Sequence, residues 1–320
     1  MAPDPDDPLK HRLAPWIVAL AGMLVLMVSN GMVISGITAF DESLIAEFGW
    51  SRGELKFRDL ITLVGTGLVA PFIGILIDRL GVRALLIAGS LMLSAGYLGY
   101  AHVESIADVY LIHALFAAVL VASGMNVAVI LVSGWFVRHR GSAMGLVVLG
   151  TSLGGVLFPP LISLLIAAHG WRQSFELMAL APLLLLLIGV FLARTPRELG
   201  LQPLGADSRV SDARPHGHDD DLSLAEATRT VSFWALATVA GLSFYCMLGV
   251  ISSLRLHLMD LGADPLSASQ SFAWMMSMAL CGKFLFGFLA DRFNQRAVFV
   301  GNLLIMLMGI LSLASMNPAL

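Results

Sequence analysis

The sequence predicts an all-α membrane protein, because it is too apolar for a soluble fold and its apolar residues form runs long enough to span a bilayer. Hydrophobic residues make up 58% of the 320 residues and charged residues 13%, with a mean hydropathy of +0.84. Soluble domains carry about 25% charged residues. The 19 Lys and Arg are balanced by 22 Asp and Glu, which excludes the basic surface that nucleic-acid binding needs. Cys246 and Cys281 both lie in apolar runs, so neither a disulfide scaffold nor a Cys-rich metal site is expected.

Nine apolar runs are long enough to cross a bilayer, which requires about 20 helical residues. They cover residues 14–40, 60–77, 84–103, 109–136, 142–168, 174–193, 231–254, 268–290 and 297–316. The first run is longer than a signal-peptide core and follows an acidic, Pro-rich flank, so we expect it to be a retained span. The lipid bilayer is therefore the first expected partner.

The basic residues predict the orientation of the spans. With the amino terminus in the cytoplasm, 13 Lys and Arg residues lie in inner segments and five in outer segments, as the positive-inside rule requires. The five outer residues are Arg52, Lys56, Arg58, Arg172 and Arg255. We interpret Arg58 and Arg255 as residues of the outer membrane interface. The preference for Arg over Lys and the lack of sorting signals indicate a bacterial inner membrane.

One charged pattern occurs twice, each time between two spans on the cytoplasmic side. The residues of the first copy recur 213 positions later, and the two sets are Gly74, Asp78, Arg79, Arg83 and Gly287, Asp291, Arg292, Arg296. The pattern predicts two halves related by parallel duplication. The expected division is a cytoplasmic tail (1–13), a six-helix half (14–193), a cytoplasmic linker (194–230) and a partial three-helix half (231–320). Because an equal second repeat would end at about residue 406, we expect this chain to be a fragment or a truncated gene product.

This duplicated turn resembles the Gly-x-x-x-Asp-Arg signature of the major facilitator superfamily. Further motifs resemble its monocarboxylate and oxalate/formate branch, namely Phe-Gly-Trp-Ser-Arg at 48–52, Trp-Phe-x-x-x-Arg-Gly-x-Ala-x-Gly at 135–145, the Gly- and Pro-rich stretch 150–160 and Gly-Trp-Arg at 170–172. The resemblance implies a major facilitator type helical bundle with a six-helix first half and an incomplete, three-helix second half.

The resemblance also gives the duplicated turns a gating role. Each Asp is expected to contact the positive amino end of a helix in the other half and so to latch the cytoplasmic side. Asp291 would face the start of the fifth span near Gly141 and Ser142. The alternative is that both turns are ordinary solvated loops.

The fifth span is rich in small residues and helix breakers. These residues are Gly145, Gly150, Gly154, Gly155, Pro159 and Pro160. Small residues let helices approach closely, and prolines provide a bend for a moving helix. Packing without gating is an equally good interpretation.

Four polar residues inside spans are candidate substrate ligands. Lys283 lies about 12 Å from Asp291 along its helix, where related carriers place a cation that holds the substrate carboxylate. Snorkelling toward the interface is its alternative. His113 is a candidate proton carrier or ligand, although a buried histidine with satisfied hydrogen bonds is favoured. Asn30 and Asn126 are candidates for lining a cavity or for bonding between helices.

Acidic residues are scarce in the spans, where only Asp59 and Glu176, near outer ends, stand out. The monocarboxylate branch often has an Asp one turn before its cation, but Ala279 occupies that position here. Proton coupling through a buried acid is therefore not expected from these nine runs. In the linker, the sequence His-x-His-Asp-Asp-Asp at 216–221 is better interpreted as a solvated acidic segment than as a metal site, and Ser223 with Glu226 forms a capping-box pattern.

The sequence thus favours a secondary transporter that moves a small organic anion, such as a monocarboxylate, by alternating access. A proton or a counter-anion is the candidate coupling partner, because the sequence has no phosphate-binding loop for ATP. No cofactor is expected. The alternatives are a transport-inactive receptor or carrier remnant and, least favoured, an intramembrane enzyme.

Overall fold

The computed structural model describes residues 8–137, 140–192 and 228–315, together with residues 196, 203, 204 and 226. The helices are α1 Pro8–Asn30, α2 Asp41–Phe48, α3 Arg52–Val69, α4 Ile73–Ala101, α5 Ile106–Ser123, α6 Met125–Ser133, α7 Arg140–His169, α8 Trp171–Met178, α9 Leu183–Phe191, α10 Val231–Asp260, α11 Pro265–Arg292 and α12 Gln295–Ser315. A π-helical segment, Gly31–Ser35, and a 3-10 segment, Gly36–Phe40, join α1 to α2, and a further 3-10 turn, Ala70–Phe72, joins α3 to α4. The predicted all-α class is confirmed. The tail residues 1–7, the linker motif at 216–221 and Ser223 lie outside the described residues.

The predicted spans lie mostly in helix, although their boundaries differ from the expectation. Seven helical stretches in the described part of the chain are long and apolar enough to cross a membrane. The stretch from Arg52 to Ala101 holds two predicted spans, which separate at Gly81, whose φ of 77° breaks the helix. The first stretch continues through α2 to Phe48, eight residues beyond the predicted end. The predicted run 268–290 corresponds to α11.

Packing divides the chain into two units. The first contains residues 1–213 and 250–277. Within it α1 packs mainly against α7, and α5 packs against α3 and α4. Aromatic side chains fill part of its core, where Tyr100 stacks on Phe175 with ring centroids 4.6 Å apart. This core holds the polar residues described below.

The second unit contains residues 214–249 and 278–320. It includes the first part of α10, the last part of α11 and all of α12. No residue between Val231 and Gly249 is buried. Helices that are apolar on every side and exposed within their own chain require lipid or further protein around them.

The backbone repeats the features of α2 and α3 in α10 and α11 at the spacing of 213 residues. Left-handed glycines follow α2 and α10, at Gly49 (φ 68°) and Gly262 (φ 93°). Ser51 caps α3 in a capping box with Glu54. Asp264, at the equivalent position, accepts from the amides of Leu266 (3.0 Å) and Ser267 (3.1 Å).

The two caps use an acidic residue and a serine in opposite positions. The first pairs a Ser with a Glu three residues later, whereas the second pairs an Asp with Ser267. The Ser267 hydroxyl and backbone amides hold the pKa of Asp264 below its usual value. Equivalent positions in the two copies therefore keep their hydrogen-bonding function while their residues differ.

Candidate functional site

A buried ion cluster joins the first transmembrane stretch to α3. The carboxylate of Asp41 accepts a hydrogen bond from Lys56 Nζ (2.5 Å) and another from Arg58 Nη2. The side chains of Asp41 and Arg58 are 1% and 0% exposed. Burying charges costs several kcal/mol per ion unless they are closely paired, so one carboxylate held by two cations is the arrangement that makes this burial tolerable.

Asp59 extends this cluster toward the surface. Its carboxylate lies 3.4 Å from Arg58 Nε and 3.8 Å from Lys56 Nζ. Within the described part of the chain, Arg58 Nη1 and Asp59 Oδ2 are buried without a hydrogen-bond partner. We call Asp41, Lys56, Arg58 and Asp59 the Asp41 cluster.

The interpretation of Arg58 as an interface residue is wrong. The side chain is fully enclosed by the protein, as is that of Asp41, an acid one residue beyond the end of the first predicted span. Hydropathy placed both residues near the end of an apolar run, where charges ordinarily meet water. The signal that could have found them is the rule that an ionisable residue within a helical span marks a functional site.

His113 lies next to this cluster with both ring nitrogens engaged. Nδ1 lies 2.8 Å from Thr62 Oγ1, and Nε2 lies 2.7 Å from the Tyr100 hydroxyl. Thr62 Oγ1 also lies within donating distance of the carbonyls of His113 (3.2 Å) and Arg58 (3.3 Å). If the Thr62 hydroxyl donates to a carbonyl, His113 donates from Nδ1 and accepts from Tyr100 at Nε2. A substrate would have to displace one of these bonds to reach the ring.

A second polar cluster lies at one end of α2, α3, α10 and α11, which we call the Arg255 end. Arg255 is 2% exposed, so its interpretation as an interface residue is also wrong. Its Nε donates to Ser269 Oγ (2.9 Å), its Nη1 donates to the Thr38 carbonyl (3.4 Å), and its Nη2 lies 4.0 Å from Glu42 Oε2. Ser269 in turn shares a 2.6 Å hydrogen bond with Ser163 of α7. Helices α10 and α11 are thus bonded to the 3-10 segment before α2 and to α7.

The rim of the Arg255 end carries a more exposed ion pair. Arg52 at the start of α3 donates to both carboxylate oxygens of Asp260 at the end of α10. The two side chains are 51% and 48% exposed. A pocket of about 290 Å³ opens beside this pair, lined by Glu42, Ile45, Ala46, Arg52, Leu256, Met259 and Asp260.

The glycines of α7 divide between two roles. A Cβ on Gly150 would lie 2.0 Å from the Met23 carbonyl, and one on Gly154 would lie 2.4 Å from the Met27 carbonyl, so both glycines let α1 pack closely against α7. A Cβ on Gly155 would instead lie 2.5 Å from Met276 of α11. Gly145 has no atom within 4 Å of such a Cβ. Packing explains Gly150 and Gly154, whereas Gly155 contacts a helix of the second repeat.

The predicted substrate residues lie on four different helices, α1, α5, α6 and α11. Asn30 Nδ2 lies 3.5 Å from Ser29 Oγ at the end of α1, and Asn126 is exposed at the start of α6. Lys283 has an exposed side chain in α11 and belongs to the second unit. Its role as an anion ligand stays a prediction, as do those of His113 and the two asparagines.

The duplicated turns are described only in part. Gly74, Asp78, Arg79 and Arg83 are exposed, and the helix is broken at Gly81 between Arg79 and Arg83. The side chains of Asp291 and Arg292 and the surroundings of Gly287 lie outside the described residues, and Arg296 is exposed. The latching role of these turns therefore stays a prediction. No group of three or more His, Cys, Asp or Glu residues that could hold a metal is found in the described ranges.

Known proteins identify the family of this helical arrangement. A model of the Major Facilitator Superfamily matches residues 18–320. The chain belongs to this superfamily. It is 26% identical over 285 residues to the MFS-type transporter pytF of Aspergillus terreus, covering 88% of this chain and 90% of pytF. It is 28% identical over 184 residues to human monocarboxylate transporter 14, covering 55% of this chain and 34% of that protein.

Another curated relative and two solved structures extend the comparison. The chain is 28% identical over 176 residues to the riboflavin transporter RibJ of Trypanosoma cruzi, covering 54% of this chain and 37% of RibJ. A bacterial homolog of the human lysosomal transporter Spinster, in an inward-facing and occupied conformation, superposes with a TM-score of 0.64 at 20% identity over 90% of this chain and 63% of that chain. A D-xylose-proton symporter gives 0.61 at 16% identity over 89% of this chain and 70% of that chain. These structures share the fold, and the chain spans about a third of the length of RibJ and of monocarboxylate transporter 14.

Proposed function

We propose that the protein is a secondary transporter that moves a small organic anion, such as a monocarboxylate, by alternating access. Membership of the Major Facilitator Superfamily supports transport. The observation that carries the choice of an anion is Lys283, a basic side chain inside the apolar helix α11. Ionisable groups are costly in a bilayer, and by default they mark the path of a substrate or ion.

In this proposal Lys283 holds the substrate carboxylate as a point charge. His113, Asn30 and Asn126 contribute hydrogen bonds to the same path. The turns that contain Asp78 and Asp291 latch the cytoplasmic side, with the amino terminus in the cytoplasm of a bacterial cell. A proton or a counter-anion gradient supplies the energy.

The polar contacts at the Arg255 end support alternating access. They link helices of the two predicted repeats through hydrogen bonds and ion pairs, which can break and re-form without leaving a void in a packed core.

Uptake into proteoliposomes tests this function. The purified protein is reconstituted and given radiolabelled short monocarboxylates, with riboflavin and xylose as substrates of other classes. Saturable carboxylate uptake that is abolished by Lys283→Ala and retained by Lys283→Arg is expected. Ser277→Ala, two turns earlier on the same helix, is the matched control and should transport normally.

A transport-inactive receptor is the alternative, and the same preparation separates the two. Carboxylate binding at equilibrium without accumulation in the vesicles would favour the receptor. Uptake of riboflavin or xylose alone would refute the choice of an organic monocarboxylate while retaining the carrier.

A further inference from the structure

Glu42 and Arg255 occupy the same position in the two predicted repeats. They are 213 residues apart, as are the left-handed glycines Gly49 and Gly262 and the N-caps Ser51 and Asp264. Each lies seven residues, or about two helical turns, before its left-handed glycine. The correspondence is therefore fixed by backbone features on the same helices and does not depend on an alignment of side chains.

These two equivalent residues face each other. Arg255 Nη2 lies 4.0 Å from Glu42 Oε2, and Arg255 Nη1 donates to the Thr38 carbonyl one turn before Glu42. When two copies of an element are related by a two-fold axis, a residue meets its own equivalent only close to that axis. The Glu42–Arg255 contact thus lies close to the axis that relates α2 to α10.

The residues at this position have opposite charges. The same residue in both copies would bring two like charges together, whereas Glu42 and Arg255 attract each other. Arg255 is 2% exposed, whereas the Glu42 side chain is 42% exposed, so solvent and salt screen this attraction in part.

We propose that Glu42 and Arg255 form the closing contact of the Arg255 end, made when the two helix ends come together and broken each time this end opens during transport. The proposal rests on the proposed carrier function, because a carrier must open and close this end. Arg255 acts here as a positioning residue, and its bond to Ser269 transmits the closure to the Ser163–Ser269 contact on α7.

Ser163 provides a reporter of this closure. It is 6% exposed and shares a hydrogen bond with Ser269. Ser163→Cys is introduced after Cys246 and Cys281 have been replaced by Ser, and labelling with a membrane-impermeant maleimide is measured on whole cells and on inverted vesicles. Gly53→Cys, exposed on the same end, shows from which side the reagent must be added and how much protein is in the membrane.

Charge reversal should open this end, and exchange of the two charges should close it again in part. Glu42→Arg brings two cations together and Arg255→Glu brings two carboxylates together, so each should raise the labelling rate of the reporter about tenfold. The double variant E42R/R255E restores opposite charges at equivalent positions but loses the bonds that Arg255 donates to Ser269 and to the Thr38 carbonyl, so it should label more slowly than either single variant without returning to the parental rate. Arg52→Ala, in the exposed pair, is the matched control and should change the rate by less than about twofold.

Unchanged labelling in both single variants, or a double variant that labels as fast as the singles, would overturn the proposal. If charge reversal keeps the protein out of the membrane, Glu42→Gln and Arg255→Gln replace it, with an expected rise of about threefold, and an unchanged rate refutes the proposal equally. The labelling needs no substrate. A chain that opens as expected but accumulates no solute would therefore refute the proposed function alone.

Discussion

The close contact between α1 and α7 makes Gly154→Ala the most informative packing test in this protein. A Cβ at Gly154 would lie 2.4 Å from the Met27 carbonyl oxygen and 2.5 Å from the Gly31 Cα. Ordinary van der Waals contacts of a Cβ begin at 3.4 Å, so the two helices would have to separate by about 1 Å. Both obstructing atoms belong to the backbone, and rotation of a side chain cannot relieve the clash.

The magnitude follows from two opposing effects. Overpacking a well-packed contact costs about 1–3 kcal/mol. Replacing a helical glycine by alanine returns about 0.5–1 kcal/mol through lower conformational entropy of the unfolded chain. Gly145→Ala, on the same helix but with open space around its Cβ, should show only the second effect. We therefore expect Gly154→Ala to be less stable than Gly145→Ala by about 1–3 kcal/mol.

Unfolding of the purified protein in mixed micelles with increasing SDS measures this difference, and thermal denaturation followed by size-exclusion chromatography provides a second readout. The reasoning fails if the two variants have equal midpoints, because the close approach of α1 and α7 would then carry no energetic weight. Stabilisation by both substitutions would likewise contradict the expected clash between α1 and α7.

Three other substitutions test the polar clusters and the second glycine role. Asp41→Asn leaves the enclosed Arg58 with only the partly exposed Asp59 as a counter-charge and should cost about 3 kcal/mol in the SDS titration, part of which Asp41→Asn/Arg58→Met should recover; a loss below about 1 kcal/mol would contradict the burial of this pair. Arg52→Ala should cost at most about 1 kcal/mol in the same titration, because both partners of its ion pair are half exposed. Gly155→Ala should displace Met276 and speed the labelling of Ser163→Cys by at most a few-fold, and adding Met276→Ala should reverse this effect. Equal labelling with and without Met276→Ala would show that the new Cβ does not clash with Met276.

Much of the fold was predictable because lipid imposes length and composition on a helix. The nine apolar runs correspond to helices, and the repeat at 213 residues recurs in the backbone at Gly49 and Gly262. Hydropathy failed at Arg58 and Arg255, because a charge near the end of an apolar run can face either the headgroups or the inside of a bundle. Position along the chain does not distinguish these two environments.

Sequence by itself determined the membrane class, the helical spans, the duplicated turn and the family, because these depend on composition and spacing along one chain. Tertiary structure alone decided that Asp41 and Arg58 are enclosed, that both ring nitrogens of His113 are engaged, and that Gly154 and Gly155 contact different helices. The physical reason is that a membrane helix is apolar on all its faces. Its sequence therefore shows that it spans the bilayer, whereas the face it turns toward its neighbours depends on small residues and polar contacts that only packing brings together.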